Sequence, residues 1–285
     1  MNVPRPLPNA LGIRPSRGFS LIELLVVVGI LALLVGIFLP VLTRVRSRAT
    51  GITCMNHVRQ LQTALLMYAQ DNRDRLVINL DTGRPYRIRG LNLNQNWVNN
   101  ALSWELDRDN TNLAFMAYSP LATFLAFGPE VFVCPSDRVL SALQRKAGWS
   151  RRVRSMALNS MVGDPIGSRT NRPNAWNPDY RQYLRVADIS NPSGIFTFLD
   201  ENADSIEHGY FWNSLDDKLW SHLPASYHRG AGSVAFMDGH VESHRWQSTT
   251  TRRSARPNSG PLPFPVPLAG QEDFDWLAER TSERE

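Results

Sequence analysis

Residues 18–40 read GFSLIELLVVVGILALLVGIFLP, and this stretch decides how the chain is organised. No charged residue occurs from Leu24 to Leu39, and the apolar segment counted from Phe19 to Leu39 is 21 residues long. As a helix, the segment is long enough to cross about 30 Å of hydrocarbon. No cleavage site of the secretory type follows it, so we expect it to remain in the mature protein as a membrane anchor.

Glu23 interrupts this apolar segment near its N-terminal end. A carboxylate in a bilayer helix costs roughly 2.5 to 3.5 kcal/mol near the membrane centre and less near the end. Glu23 therefore either marks the interfacial end of a plain signal anchor or is compensated by a partner. Arg5, Arg14 and Arg17 precede the span and favour a cytoplasmic N-terminus, although three more arginines follow the span.

The residues from Gly18 to Glu23, followed by the apolar run and Pro40, resemble the N-terminal signature of type IV pilins and of the pseudopilins of type II secretion. The resemblance implies that a membrane prepilin peptidase cuts after Gly18 and that the new amino terminus at Phe19 is methylated. It implies further that Glu23 pairs with the amino terminus of a neighbouring subunit during assembly, and that Pro40 kinks the helix.

The function implied by this resemblance is structural. The chain is expected to be a subunit of a type II secretion pseudopilus or of a type IV pilus-like filament. Its partners would be prepilin peptidase, other pilin-like subunits in a homo- or hetero-filament, and the inner membrane. It would cross the inner membrane once and place its head in the periplasm or on an extracellular filament. The alternative is a single-span anchored periplasmic or surface binding protein that does not polymerise.

Apolar residues recur beyond Pro40 at three- and four-residue spacings, which predicts an amphipathic continuation of the helix to about Asp71. The residues are Val41, Val45, Ile52, Met55, Val58, Leu61, Leu65 and Tyr68. The predicted fold class is α+β, with a long N-terminal spine helix and an antiparallel β-sheet head, as in pilins. The predicted organisation is a leader at 1–18, a transmembrane half-helix at 19–39, an amphipathic half-helix at 40–72, an α+β head at 73–247 and a Pro-rich tail at 248–285.

Short apolar runs at 131–134, 155–161 and 195–199 predict strands of this sheet. The strongest local signal is the Asp238-Gly239 pair, which lies between two strand-like arms at 233–237 and 240–246. This pattern predicts a hairpin with a type I′ turn.

The tail contains five prolines from Pro257 to Pro267, which predicts an extended linker on the surface. A short helix is expected to follow from Asp273 to about Arg284. Its docking residues would be Phe274, Trp276 and Leu277.

The hairpin carries a second resemblance. His228, nine intervening residues and then Asp238-Gly239 resemble the C-terminal motif of a large bacterial subfamily of prepilin-like proteins. The segments CMNHVRQ at 54–60 and CPSD at 134–137 resemble other short motifs of that subfamily. From the residues alone, we expect His228 to fix a loop by hydrogen bonding, because no motif pairs it with a nucleophile.

His240, Glu242 and His244 alternate along one arm of the hairpin and would face the same side of the strand. With His228 or Asp238 nearby, they could hold zinc. The competing interpretation is a solvated polar face.

Asp200, Asn202, Asp204 and Glu207 place oxygen atoms at alternate positions, as the opening of a calcium loop does. Ser205 stands where an EF-hand requires glycine, so the match is incomplete. A solvated acidic turn is the competing interpretation.

Cys54 and Cys134 are the only cysteines, which excludes a disulfide-dense scaffold and a four-cysteine zinc site. Both lie beyond the membrane span, in a compartment that permits oxidation. We therefore predict a disulfide between them, with two buried thiols as the alternative.

Composition excludes several function classes. The formal charge is +5, but three of the excess positive charges lie in the first eighteen residues, so the body is nearly balanced and no nucleic-acid partner is expected. The sequence has no glycine-rich phosphate loop and no nucleophile elbow. We therefore expect no enzyme activity.

Overall fold

The computed structural model describes residues 20–80, 95–125, 128–165, 174–257 and 260–285. The chain divides into two compact units, Met1–Arg46 and Ser47–Glu285. Helix α1, Leu21–Asp71, contributes residues to both units. Its C-terminal end agrees with the end predicted from the apolar periodicity.

In the first unit, the part of α1 from Leu21 to Leu39 is a candidate membrane span of 19 residues, and none of it is buried within the protein. Its large apolar side chains are exposed along the whole segment. At about 1.5 Å per residue, this segment is about 28 Å long, close to the thickness of a bilayer core.

In the second unit, the remainder of α1 packs on the head through one stripe of buried side chains. Cys54, Val58, Leu61 and Leu65 recur at spacings of four, three and four residues and are fully buried. Ile52, which the periodicity predicted to face inward, is 62% exposed. The fully buried side chains of the helix therefore begin at Cys54.

A five-stranded sheet forms the centre of the head, in the order β3-β1-β2-β5-β6. All its pairs are antiparallel except the parallel pair β1–β3. A separate antiparallel pair consists of β4 and β7. The strands are β1 Met156–Asn159, β2 Phe196–Asp200, β3 Tyr210–Phe211, β4 Leu219–Trp220, β5 Ala231–Phe236, β6 Val241–Arg245 and β7 Phe264–Pro265.

Within the described residues, three short α-helices accompany the sheet, namely α2 Ala114–Ala117, α3 Ala142–Lys146 and α4 Gln271–Ala278. The two faces of the sheet bury different sets of side chains. Leu158, Phe198 and Ala235 pack in one cluster with the stripe of α1. Phe196 and Val234 pack in a second cluster with α4. The structure thus confirms the predicted α+β class, with a long N-terminal helix and a mostly antiparallel sheet.

The predicted hairpin exists, but its turn type was wrong. Strands β5 and β6 pair in antiparallel register up to Ala235 and Val241. The Gly239 N–H donates to the Phe236 carbonyl at 3.0 Å, and Gly239 alone of the turn residues has a positive φ, of 96°. A type I′ turn requires positive φ at both central residues, whereas a three-residue loop requires it only at the last. Asp238 therefore keeps an ordinary backbone conformation.

Two other segments differ from their predicted structure. Val131–Cys134 is not a strand, because Pro129–Phe132 forms a 3-10 helix and the Cys134 N–H donates to the Ser155 hydroxyl instead of to a ladder.

The prolines from Pro261 to Pro267 are exposed on the surface, but the segment packs on the head and is not a free linker, and the predicted terminal helix docks through the expected residues. Phe264 pairs with Trp220 in the sheet formed by β4 and β7, and Phe274 and Leu277 of α4 are buried in the second cluster, with Trp276 packed beside them. Helix α4 ends at Ala278, earlier than predicted.

Candidate functional site

The N-terminus of α1 forms a capping box. The Ser20 backbone N–H donates to Glu23 Oε2 at 2.8 Å, and the Glu23 N–H donates to Ser20 Oγ at 3.3 Å. These bonds satisfy two of the backbone donors that a helix start leaves without an intrahelical acceptor. The Glu23 carboxylate therefore accepts a hydrogen bond within its own chain, and the Ser-x-x-Glu spacing was the signal for this cap in the sequence.

Two processing residues, Gly18 and Phe19, lie outside the described part of the chain. Their roles stay predictions. Pro40 lies inside α1, and the helix has no boundary there. A kink at Pro40 also stays a prediction.

A second site lies in the head, where four side chains distant in sequence meet. Cys54 is on α1, Cys134 follows the 3-10 helix, Asp200 ends β2, and His228 lies in the turn before β5. One ligand atom from each lies within 4.8 Å of all the others. Cys54 Sγ is 3.5 Å from Asp200 Oδ2, and Cys134 Sγ is 3.2 Å from His228 Nε2. These four residues are called the Cys-Asp-His cluster below.

Ser155 connects two members of the Cys-Asp-His cluster. Its hydroxyl donates to Asp200 Oδ1 at 2.7 Å and accepts from the Cys134 backbone N–H at 2.7 Å. The Asp200 carbonyl accepts from the Ala225 N–H at 2.7 Å. Asp200 is therefore oriented by its neighbours so that Oδ2 points toward the sulfur of Cys54.

Helix α1 also makes room for the imidazole. A Cβ on Gly51 would lie 3.4 Å from His228 Cγ and Nδ1, so the ring packs closely on the helix backbone at this glycine. His228 Nδ1 is buried and makes no hydrogen bond of good geometry within the described residues, although the Ser47 backbone lies near enough to interact with it.

Burial dominates the electrostatics of the cluster. It raises the pKa of the Cys54 and Cys134 thiols, raises the pKa of Asp200 to about 7 and lowers the pKa of His228. Each shift favours the uncharged form of its group. Within the described residues, Asp200 forms no ion pair with lysine or arginine, so no protein cation offsets its charge.

The structure does not contain the predicted disulfide between Cys54 and Cys134. Both cysteines are free and buried, as in the alternative interpretation. Their proximity was anticipated, whereas the participation of Asp200 and His228 was not. Cys54, Cys134 and His228 each begin one of the three short motifs noted in the sequence, and this shared placement was the signal that could have connected them.

The predicted zinc residues on β6 and its turn have other contacts. His240 Nδ1 is 2.6 Å from Asp238 Oδ1, and the His240 ring stacks on Phe236. His244 stacks on Trp276 at a centroid distance of 3.7 Å. Among the described residues, the Cys-Asp-His cluster is the one metal-ligating group of this kind, so His240, Glu242 and His244 do not converge on a zinc site.

The candidate calcium residues are directed to different partners. Asp200 belongs to the Cys-Asp-His cluster, Asn202 donates to the Arg253 carbonyl at 3.1 Å, and Asp204 pairs with the Arg253 guanidinium at 2.8 Å. Glu207 is exposed. Calcium binding by these residues stays an untested prediction, and their geometry gives it no support.

Comparison with known proteins bears on the first site. The prokaryotic N-terminal methylation motif matches residues 13–39. This match supports a type IV pilin-like protein. The motif suggests a prepilin-peptidase substrate, and with the candidate membrane span at Leu21–Leu39, the one found among the described residues, it indicates a membrane-anchored, pilin-like protein. Neither the curated proteins nor the solved structures include a significant match to the chain.

Proposed function

We propose that the chain is a structural pilin-like subunit that prepilin peptidase cleaves after Gly18 and that then assembles into a type II secretion pseudopilus or a type IV pilus-like filament. The proposal extends to the location of the protein. The inner membrane holds the apolar part of α1, and the head lies in the periplasm or on the extracellular filament.

The observation that carries the proposal is the exposed apolar surface of α1 within the matched motif. From Leu21 to Leu39 none of the helix is buried within the protein, although its side chains are almost all aliphatic. Such a surface requires lipid, or the apolar helices of other subunits, around it. A helix that leaves the membrane during assembly exchanges the first environment for the second.

The experiment separates cleavage from mere anchoring. The full chain is expressed with the cognate assembly genes, and the mass of the membrane-bound protein is measured together with its recovery in sheared filaments. We expect loss of residues 1–18, gain of one methyl group at Phe19, and recovery in filaments. Gly18→Ala should block all three changes.

Gly29→Ala is the matched control for cleavage, because Gly29 lies within the apolar part of α1, eleven positions after Gly18 in the sequence, and a Cβ there meets no atom within 4 Å. It should be processed like the wild type. If wild-type chains retain residues 1–18, the proposal fails, and a single-span binding protein that does not polymerise becomes the better description.

A further inference from the structure

We propose that the Cys-Asp-His cluster binds one zinc ion, with Cys54, Cys134, Asp200 and His228 as its four ligands, and that the ion fixes helix α1 to the sheet of the head. This inference concerns the head and does not depend on the proposed assembly function.

The spacing of the ligand atoms fits tetrahedral coordination. With Zn–S near 2.3 Å and Zn–O or Zn–N near 2.0 Å, the edges of a tetrahedron that join sulfur to oxygen or nitrogen are about 3.5 Å. The distance from Cys54 Sγ to Asp200 Oδ2 is 3.5 Å, and that from Cys134 Sγ to His228 Nε2 is 3.2 Å. All four atoms lie within 4.8 Å of one another, so small movements of the side chains bring them to coordination distance.

The donor set selects the metal. Two thiolates and an imidazole favour zinc over calcium or magnesium, which take oxygen ligands. Four protein ligands leave no open position for water or substrate, which is the arrangement of a structural zinc site, not a catalytic one.

The surroundings of Asp200 supply a separate argument. Its carboxyl group is fully buried, and no lysine or arginine in the described residues pairs with it. A buried carboxylate without a positive partner is costly, whereas a bound cation provides one. Ser155 holds the other carboxyl oxygen, as outer-shell groups orient metal ligands.

The ion would join four parts of the chain that are far apart in sequence. Eighty positions separate Cys54 from Cys134, and 94 separate Cys134 from His228. One ion therefore connects α1, the loop after the 3-10 helix, the end of β2 and the turn before β5. Metal binding to a site assembled only by folding stabilises the folded state.

The experiment uses the full chain, solubilised in detergent and purified with reductant but without chelator. Zinc per chain is measured by elemental analysis. The chelated protein is then titrated with Co²⁺, whose d–d and thiolate charge-transfer absorption reports tetrahedral sulfur coordination. We expect about one zinc per chain, cobalt bands that zinc abolishes, and a lower melting temperature after chelation.

Asp200→Asn and His228→Gln each remove one ligand and should lower zinc retention to a small fraction of one ion per chain. His240→Gln is the matched control, because His240 lies outside the cluster and should leave zinc content unchanged. Ser155→Ala should keep the cobalt bands but weaken zinc affinity about 10-fold, since Ser155 orients Asp200 without binding the ion.

The wild-type measurements alone decide the matter if a variant does not fold. A chain without zinc that shows no cobalt bands and two reactive thiols would be a hydrogen-bonded thiol cluster, which overturns the proposal. The protein is also purified without reductant. If it then has no reactive thiols and takes up no zinc before or after reduction, the cysteines form a disulfide, and the proposal is again overturned.

Discussion

Glu23 caps helix α1 by accepting a hydrogen bond from the Ser20 N–H, and its charge is expected to pair with the amino terminus of a neighbouring subunit. Substitutions at Ser20 and Glu23 can separate these two roles. Glutamine at the third helical position completes a capping box as glutamate does. Glu23→Gln therefore keeps the acceptor that lies 2.8 Å from the Ser20 N–H but removes the negative charge. Glu23→Ala removes both, and Ser20→Ala removes the acceptor of the Glu23 N–H while it keeps the charge.

The magnitudes of the two effects differ. Loss of a cap costs about 1 kcal/mol of helix stability. In a helix of 51 residues, a loss of this size frays only the first turn. Removal of the carboxylate from the membrane segment lowers the cost of insertion, by less than about 3 kcal/mol because Glu23 lies near the end of the span. None of the three substitutions should therefore prevent insertion in the membrane.

Assembly should distinguish the variants. If the charge pairs with the amino terminus of a neighbouring subunit, Glu23→Gln should reduce filament recovery as strongly as Glu23→Ala, while Ser20→Ala should assemble nearly as the wild type does. The assay is recovery of the processed chain in sheared filaments, normalised to its amount in the membrane. Filaments of Glu23→Gln at the wild-type level would refute the pairing and leave Glu23 as a helix cap.

Three further predictions concern the head. Burial lowers the pKa of His208 from 6.5 to about 3. Its contribution to the free energy of unfolding is therefore complete above pH 6.5 and is lost as the pH falls toward 3. His208→Gln should reduce this loss of stability at acid pH by up to about 4 kcal/mol in denaturant unfolding measured against pH. Phe274→Ala should destabilise the head by about 3 to 5 kcal/mol in denaturant unfolding, because the ring is buried 5.0 Å from that of Trp220; a loss below about 1 kcal/mol would contradict the packed tail. Gly239→Ala should lower the free energy of unfolding by about 1 to 2 kcal/mol in the same assay, since φ is 96° there. Gly148→Ala is the control, because φ is 79° and a Cβ there meets no atom within 4 Å. A similar loss at both positions would show that backbone strain alone is responsible.

The features predicted correctly from the sequence are those determined by neighbouring residues. The charge-free run fixes the apolar part of α1, and the periodicity of Val58, Leu61 and Leu65 fixes its packed face. The Asp-Gly pair fixes the position of the hairpin. Its turn type depends on more than the pair, because Met237 still donates its N–H to the Ile195 carbonyl at 3.0 Å and so extends the pairing of β5 beyond the last ladder residue.

The features missed depend on partners far along the chain. The apolar run at 131–134 has strand composition, but Pro129 begins a 3-10 helix and no strand in the described part of the chain pairs with the run. The prolines of the tail suggested a linker because local composition does not show that Phe264 meets Trp220. Likewise, Asp200 was assigned to an acidic loop, since only the pairing of β1 with β2 brings it beside Ser155 and the two cysteines.

The packing of α4 on the sheet determines the order in which the head can be completed. Phe274 and Leu277 cover Trp220 and Trp246 in the second cluster, and the Glu285 N–H donates to the Asp179 carbonyl at 2.9 Å. A head in which residues 271–285 have not yet docked leaves these tryptophans uncovered. Docking of this segment is therefore the step that closes the second cluster, and a variant truncated before Gln271 presents an adhesive apolar face to its neighbours.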